Sequence, residues 1–189
     1  MKNLAAPDRA PLLPLDLWTR DSALLRRVPL ELAAWLVDPA LLTDRIRVVS
    51  GGPHGLEIVD ERAGFLSAEQ RALLEAPSAS CFVREVELLA GRQVWVFAQT
   101  LVPDRTLELH PWLAELGRTP LGAMLAGIAR VERGPLEFAT LPPRHALAAR
   151  ALRACPGAAD VLWARRSWFA LSGHRLLVQE VFLPELGRC

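Results

Sequence analysis

An α+β fold on one antiparallel sheet is what this sequence predicts, and three observations carry that reading. Residues 81–103, CFVREVELLAGRQVWVFAQTLVP, read as two strands around a turn at Ala90-Gly91-Arg92-Gln93. Residues 162–171 and 175–183 read as a second hairpin across Ser172-Gly173-His174. Short helical stretches fall between the strand pairs, which places helices on a sheet of hairpins.

Each hairpin carries an anomaly. Phe82, Arg84, Val86 and Leu88 share one face of the first strand, with Val83, Glu85, Glu87 and Leu89 on the other. Arg84 is the charged member of an apolar row. A guanidinium keeps its charge, so burying it requires an anion. In the last strand Leu176, Val178, Glu180 and Phe182 form a second apolar row, interrupted by Glu180. Two strands therefore each send one ionisable group into an apolar layer. That pattern fits a buried polar site, and it fits an internal Arg84–Glu180 salt bridge equally well. Glu85 and Glu87 are read on the solvent-leaning face. One of Arg165 and Arg166 must point inward by alternation, without a signal as to which.

Composition sets the outer bounds. The chain of 189 residues is 51% hydrophobic and 23% charged, which describes one globular domain with a sizeable core. Its 22 Lys plus Arg against 21 Asp plus Glu give a net charge of +1, no footprint for nucleic acid or a membrane surface. No apolar run is long enough to span a bilayer, and the first residues, MKNLAAPDRAPLL, lack a hydrophobic signal core. Cys81, Cys155 and Cys189 are widely spaced, so neither a disulfide framework nor a zinc site is indicated, and a cytoplasmic location fits.

Taken in order, residues 1–14 read as a loose Pro- and Ala-rich segment and residues 15–189 as a single domain. Residues 29–37 and 40–47 form a pair of short helices broken at Asp38-Pro39. Residues 55–60 are a strand, and Ser67 to Gln70 is a capping box opening the next helix. After the first hairpin, residues 109–117 make a short helix or turn. Thr119-Pro120-Leu121-Gly122 then opens another helix, with Thr119 as N-cap and Pro120 in its first position. Free N–H groups at such a helix start suit an anion, although most capped helices bind nothing. Residues 131–140 read as a strand and residues 145–155 as a helix. His54, His110, His145 and His174 sit beside prolines, in a turn or at a helix start, and are read as solvated. The tryptophans are read as packing. A phosphate-binding glycine loop, GxSxG, HExxH and CxxC are all absent.

The blocks VREVELL, WVFAQTLVP, LGRTPLG and LWARRSWFALSGHRLLVQEVFLP, in this order and spacing, resemble the chorismate–pyruvate lyase family, which makes 4-hydroxybenzoate for ubiquinone. The likeness covers residues 81–124 and 162–184, and residues 29–61 more loosely. It implies an antiparallel sheet with two helix-turn-helix flaps closing over a buried ligand, and the two helix pairs above match those flaps. Carried over by position, the family's ligand-binding arginine falls on Arg84 in FVRE and its acidic residue on Glu180 in QEVFLP. The TPLG leucine, which binds ligand through its main chain, falls on Leu121, with Gly122 beside it. Leu42 stands where the family has a site-lining methionine. An added helical segment at about 139–161 departs from the better-known members.

The resemblance implies cleavage of chorismate to 4-hydroxybenzoate and pyruvate, with Arg84 and Glu180 as the catalytic pair and no metal or other cofactor. Arg84 clamps a carboxylate. Glu180 either donates a proton to the departing ether oxygen or only hydrogen-bonds the ring hydroxyl. The expected partners are small molecules alone, bound by a cytoplasmic monomer without nucleic acid or a membrane span. A domain of the same fold that binds a small carboxylate effector without catalysis is the competing reading. The chain has no recognisable DNA-binding region to support it.

Overall fold

The computed structural model describes residues 18–21, 23–156 and 160–186, so the loose segment read over residues 1–14 lies outside the described residues. Strands β1 (His54–Phe65), β2 (Ser80–Ala90), β3 (Gln93–Pro103), β4 (Val131–Arg133), β5 (Glu137–Leu141), β6 (Leu162–Leu171) and β7 (His174–Phe182) make one 7-stranded sheet. Its order is β1-β2-β3-β7-β6-β4, with β5 also on β6, and each pairing is antiparallel. The fold class is the α+β architecture that the alternation predicts.

Turn chemistry fixes both hairpins. Gly91 carries φ +60° between β2 and β3, a left-handed conformation in which glycine has no Cβ to clash. Ser172 and Gly173 carry φ values of 50° and 82° between β6 and β7, the two positive-φ positions of a tight hairpin loop. The strand expected over residues 131–140 is cut in two. A Cβ on Gly134 would lie 2.3 Å from the Trp168 ring, and Pro135 has no N–H to continue the ladder.

The helices are α1 (Leu30–Val37), α2 (Leu42–Ser50), α3 (Ala68–Leu73), α4 (Asp104–Leu109), α5 (Leu121–Ala126) and α6 (Ala146–Ala151). The Ser67–Gln70 capping box forms in both directions at the start of α3. Helix α2 starts two residues later than the sequence suggests, because the Asp38 carboxylate accepts the Ala40 N–H at 2.8 Å and holds a turn there. Helix α5 takes Pro120 rather than Thr119 as its N-cap. Helix α6 is shorter than residues 145–155. His145 is its N-cap, Nδ1 accepting the Leu147 N–H at 3.2 Å, and His110 Nε2 lies 3.3 Å from the Leu171 carbonyl. Neither is simply solvated.

The sheet is covered on both faces. Trp35, Leu36, Leu42 and Ile46 of α1 and α2 pack on Val86, Leu88, Ala98 and Phe182 of one face. Leu147, Ala148 and Ala151 of α6 pack on Phe97, Ala164 and Val181 of the other. Full burial of a Phe, Leu or Val side chain contributes about 1.5–3 kcal/mol, so this segment is part of the core.

That second face corrects the reading of Glu85, which is 0% exposed. Helix α6 covers it, and the sheet register explains how its charge is met. Glu85 lies opposite Gln99, which lies opposite Gln179, which lies opposite Arg166, which lies opposite Glu137. Gln99 Nε2 donates to Glu85 at 2.8 Å, Arg62 Nη2 at 3.2 Å, and Arg150 of α6 donates to its second oxygen. Desolvation raises the pKa of its neighbour Glu87, and Glu57 across the strand adds to the effect. Cys81 is a free, buried thiol, pushed up to about 11 chiefly by desolvation. Cys155 is disulfide-bonded, a bond that the cysteine spacing does not indicate.

Candidate active site under two helical flaps

Cross-strand register decides which side chains share the site. Arg84, Thr100, Val178 and Ser167 lie opposite one another across β2, β3, β7 and β6. One step along, Ala98 pairs with Glu180 and Glu180 with Arg165. The two rows place Arg84 and Glu180 over one face with β3 between them. Strands about 4.8 Å apart separate the backbones of β2 and β7 by roughly 10 Å. The Arg84–Glu180 salt bridge considered from sequence does not form, and each residue has a different ionic partner.

Above this face the flaps close. Helices α1 and α2 make one flap; α4, a short turn at Pro111–Ala114 and α5 make the other. They touch where a Cβ on Gly122 would lie 2.7 Å from Leu41 Cδ2. The space beneath is a cavity of about 430 Å³, and its lining includes Leu42, Arg84, Leu121, Gly122 and Glu180. Thus every site residue carried over from the resemblance faces one cavity. Leu56, Val86, Leu88 and Ala98 give it an apolar wall.

Arg84 is 3% exposed. It donates through Nη1 to the Glu61 carboxylate and through Nη2 to the Gly117 carbonyl at 2.5 Å. The second bond ties the α4–α5 flap to the sheet. Leu121 and Gly122 are the first residues of α5, where backbone N–H groups lack an intrahelical acceptor.

Arg165 resolves the ambiguity of the arginine pair, since both members are buried, on opposite faces. Arg166 is held on the α6 side by Glu69 at 2.5 Å and Glu137 at 2.8 Å. Arg165, 1% exposed, lines the cavity. Its Nε donates to Glu180 Oε2 at 2.5 Å. Its Nη1 donates to the carbonyls of Trp35 at 2.9 Å and Asp38 at 2.6 Å, at the C-terminal end of α1. Those carbonyls are the negative end of the helix, where a cation is favoured. One side chain therefore orients Glu180 and anchors the α1–α2 flap. The apolar layer expected around Glu180 contains this guanidinium.

Arg133 reaches the same flap from β4. Its Nε donates to Ser167 Oγ at 3.1 Å and its Nη1 to the Pro39 carbonyl at 2.7 Å. Arg133 keeps much of its surface in solvent; partial desolvation first, and then the nearby Arg165 charge, hold its pKa below the ordinary arginine value, with Glu180 and Asp38 opposing. Asp38 is held below its usual range by the Ala40 N–H and by Arg45. Sequence reading misses Glu61 and Arg133 as parts of this site, because a charge in a short or mostly exposed strand breaks no apolar pattern.

The chorismate lyase family model matches residues 13–187. A protein of Azoarcus sp. strain BH72 named probable chorismate pyruvate-lyase is 39% identical over 163 residues, covering 82% of this chain and 85% of that protein. One of the same name from Thiobacillus denitrificans is 39% identical over 162 residues, covering 85% and 86%. Among solved structures, the effector domain of PhnF from Mycobacterium smegmatis superposes with a TM-score of 0.57 at 15% identity, covering 79% of this chain and 91% of that one. The ligand-binding domain of a GntR-family transcriptional regulator from Bordetella bronchiseptica gives 0.50 at 16% identity, covering 71% and 85%. The structural likenesses are of fold alone; by the sequence matches, which run over most of its length, this chain belongs to the chorismate lyase family.

Proposed function

We propose that the protein is a chorismate pyruvate-lyase, and that the cavity under the flaps is its active site. The observation that carries this reading is the lining: Arg84, Arg130, Arg133 and Arg165 against the single carboxylate of Glu180, around an apolar wall. Chorismate is a ring with two carboxylates, so it needs apolar walls for the ring and cations for both anions. In this reading the ring carboxylate takes the place of the Gly117 carbonyl on Arg84, assisted by the N–H groups of Leu121 and Gly122. Leu42 packs on the ring.

The reaction breaks the bond from ring C3 to the ether oxygen and removes the proton at C4, which makes the ring aromatic. The enolpyruvyl methylene gains one proton and becomes the methyl of pyruvate, so atoms and charge balance. That methylene can take the C4 proton directly, through a six-membered arrangement. The protein's part is then to position the arm, exclude water and stabilise charge. The ion pair with Arg165 supports Glu180 as an acceptor for the ring hydroxyl rather than as a proton donor.

The wider role goes with this assignment. The product would feed ubiquinone synthesis, from a cytoplasmic monomer working without metal. Among the described residues, no cluster of three or more His, Cys, Asp or Glu is placed to hold a metal, and none of the described helices is long and apolar enough to cross a membrane. The test is purified protein with chorismate, following pyruvate by a coupled assay with and without a chelator. Pyruvate and 4-hydroxybenzoate should form in equal amounts at the same rate in both. Tight binding of chorismate without turnover would instead favour the effector-binding reading.

A further inference from the structure

We propose that Arg133 receives the second carboxylate of the substrate, that of the enolpyruvyl arm, at the end of the cavity away from Arg84. This rests on the chorismate reading above and goes beyond it by giving the arm a binding site of its own.

Across the sheet the charged strand residues lining the cavity are Arg84 on β2, Glu180 on β7, Arg165 on β6 and Arg133 on β4. Across chorismate the groups run ring carboxylate, ring, hydroxyl and ether oxygen, and then the arm with its carboxylate. With the ring carboxylate on Arg84 and the hydroxyl on Glu180, the arm extends toward β6 and β4. Three cations line that end: Arg165, Arg133 and, just before β4, Arg130. Arg165 spends Nε on Glu180 and Nη1 on the α1 carbonyls, and its Nη2 donates to no acceptor among the described residues, but four contacts hold it to Glu180 and the end of α1. Arg133 spends Nε on Ser167 and one Nη1 hydrogen on Pro39, and its Nη2 donates to no acceptor among the described residues. Among its neighbouring charges the like charge of Arg165 acts more strongly than the opposing Glu180 and Asp38, so an anion placed between the two arginines relieves repulsion as well as gaining a hydrogen bond.

Arg133 is also fixed by its packing. It lies over the Phe169 ring at 5.2 Å, and Ser167 and Pro39 hold its fork on two sides. Because Pro39 joins α1 to α2, a substrate arm on Arg133 touches the same group that holds the flap. Binding the arm would pin it in one rotamer, the condition for transfer of the C4 proton to its methylene. After cleavage the arm leaves as pyruvate and this subsite empties, while 4-hydroxybenzoate stays on Arg84 and Glu180.

The product gives the test, because it lacks the second carboxylate. Steady-state kinetics with chorismate and titration with 4-hydroxybenzoate are run on wild type, Arg133→Gln and Arg133→Lys. The expected result for Arg133→Gln is a KM for chorismate raised roughly 10–100-fold, as for loss of a charge-assisted contact. Affinity for 4-hydroxybenzoate should change less than about 3-fold by the same arithmetic. Arg133→Lys should recover part of the KM. If Arg133→Gln weakens both ligands equally, the residue only anchors the flap and the proposal is overturned. An unchanged KM overturns it too. Wild-type protein that releases no pyruvate defeats the lyase reading instead, so the two failures are distinct.

Discussion

Arg84→Ala is expected to weaken 4-hydroxybenzoate binding by about 2–5 kcal/mol, the usual cost of truncating one partner of a buried, hydrogen-bonded charge pair. Arg84 is 3% exposed and already meets Glu61, so its charge is compensated without ligand. In the proposed binding mode the ligand carboxylate replaces the carbonyl of Gly117. An exchange of a neutral acceptor for a carboxylate is favourable because a charge-assisted hydrogen bond is the stronger one. Two effects of the substitution must be separated. Loss of the Gly117 contact loosens the α4–α5 flap, and loss of the guanidinium removes the carboxylate partner. Arg84→Lys keeps the charge but loses the planar fork, and it should fall between wild type and Arg84→Ala. Calorimetric titration beside a melting curve checks this. Normal binding by a folded Arg84→Ala protein would mean that the carboxylate sits elsewhere.

The largest effect on stability is expected at Arg165. Arg165→Met should cost about 3–5 kcal/mol, the range for breaking a buried ion pair from one side. The residue is 1% exposed, and its removal strands the Glu180 carboxylate and the carbonyls of Trp35 and Asp38 together. For a domain of this size each kcal/mol moves Tm by roughly 2–4 °C, so the shift should be near ~10 °C. The double substitution Arg165→Met with Glu180→Leu should recover part of that loss, since no carboxylate is left without its cation. Denaturant melts of the single and double variants measure the coupling. Additive losses would mean that the pair contributes little and that Arg165 matters only through the flap carbonyls.

The legible parts of this fold were those governed by period and turn chemistry. Alternation over residues 81–103 locates β2 and β3 and sets Arg84 in an apolar row, and alternation over residues 175–183 does the same for Glu180. Which ion partnered which was not legible. Arg84 finds Glu61 and Glu180 finds Arg165 because β3 lies between β2 and β7, and strand order is a tertiary property. Glu85 reads as solvent-leaning from sequence because an isolated strand gives no sign that α6 covers its far face. Arg165 and Arg166 defeated alternation differently. The sheet is covered on both sides there, so each neighbour has its own partly buried carboxylate and neither breaks the pattern.

A crystal structure with 4-hydroxybenzoate bound tests the account most directly, since it locates both ends of one ligand. The prediction is a single molecule under both flaps. Its carboxylate should lie on Arg84 and the N–H groups of Leu121 and Gly122, its hydroxyl on the Glu180 oxygen that Arg165 leaves free, with the space before Arg133 still open. A ring bound in the reverse sense, with its carboxylate on Arg133 and Arg165, or a ligand outside the flaps, would contradict it.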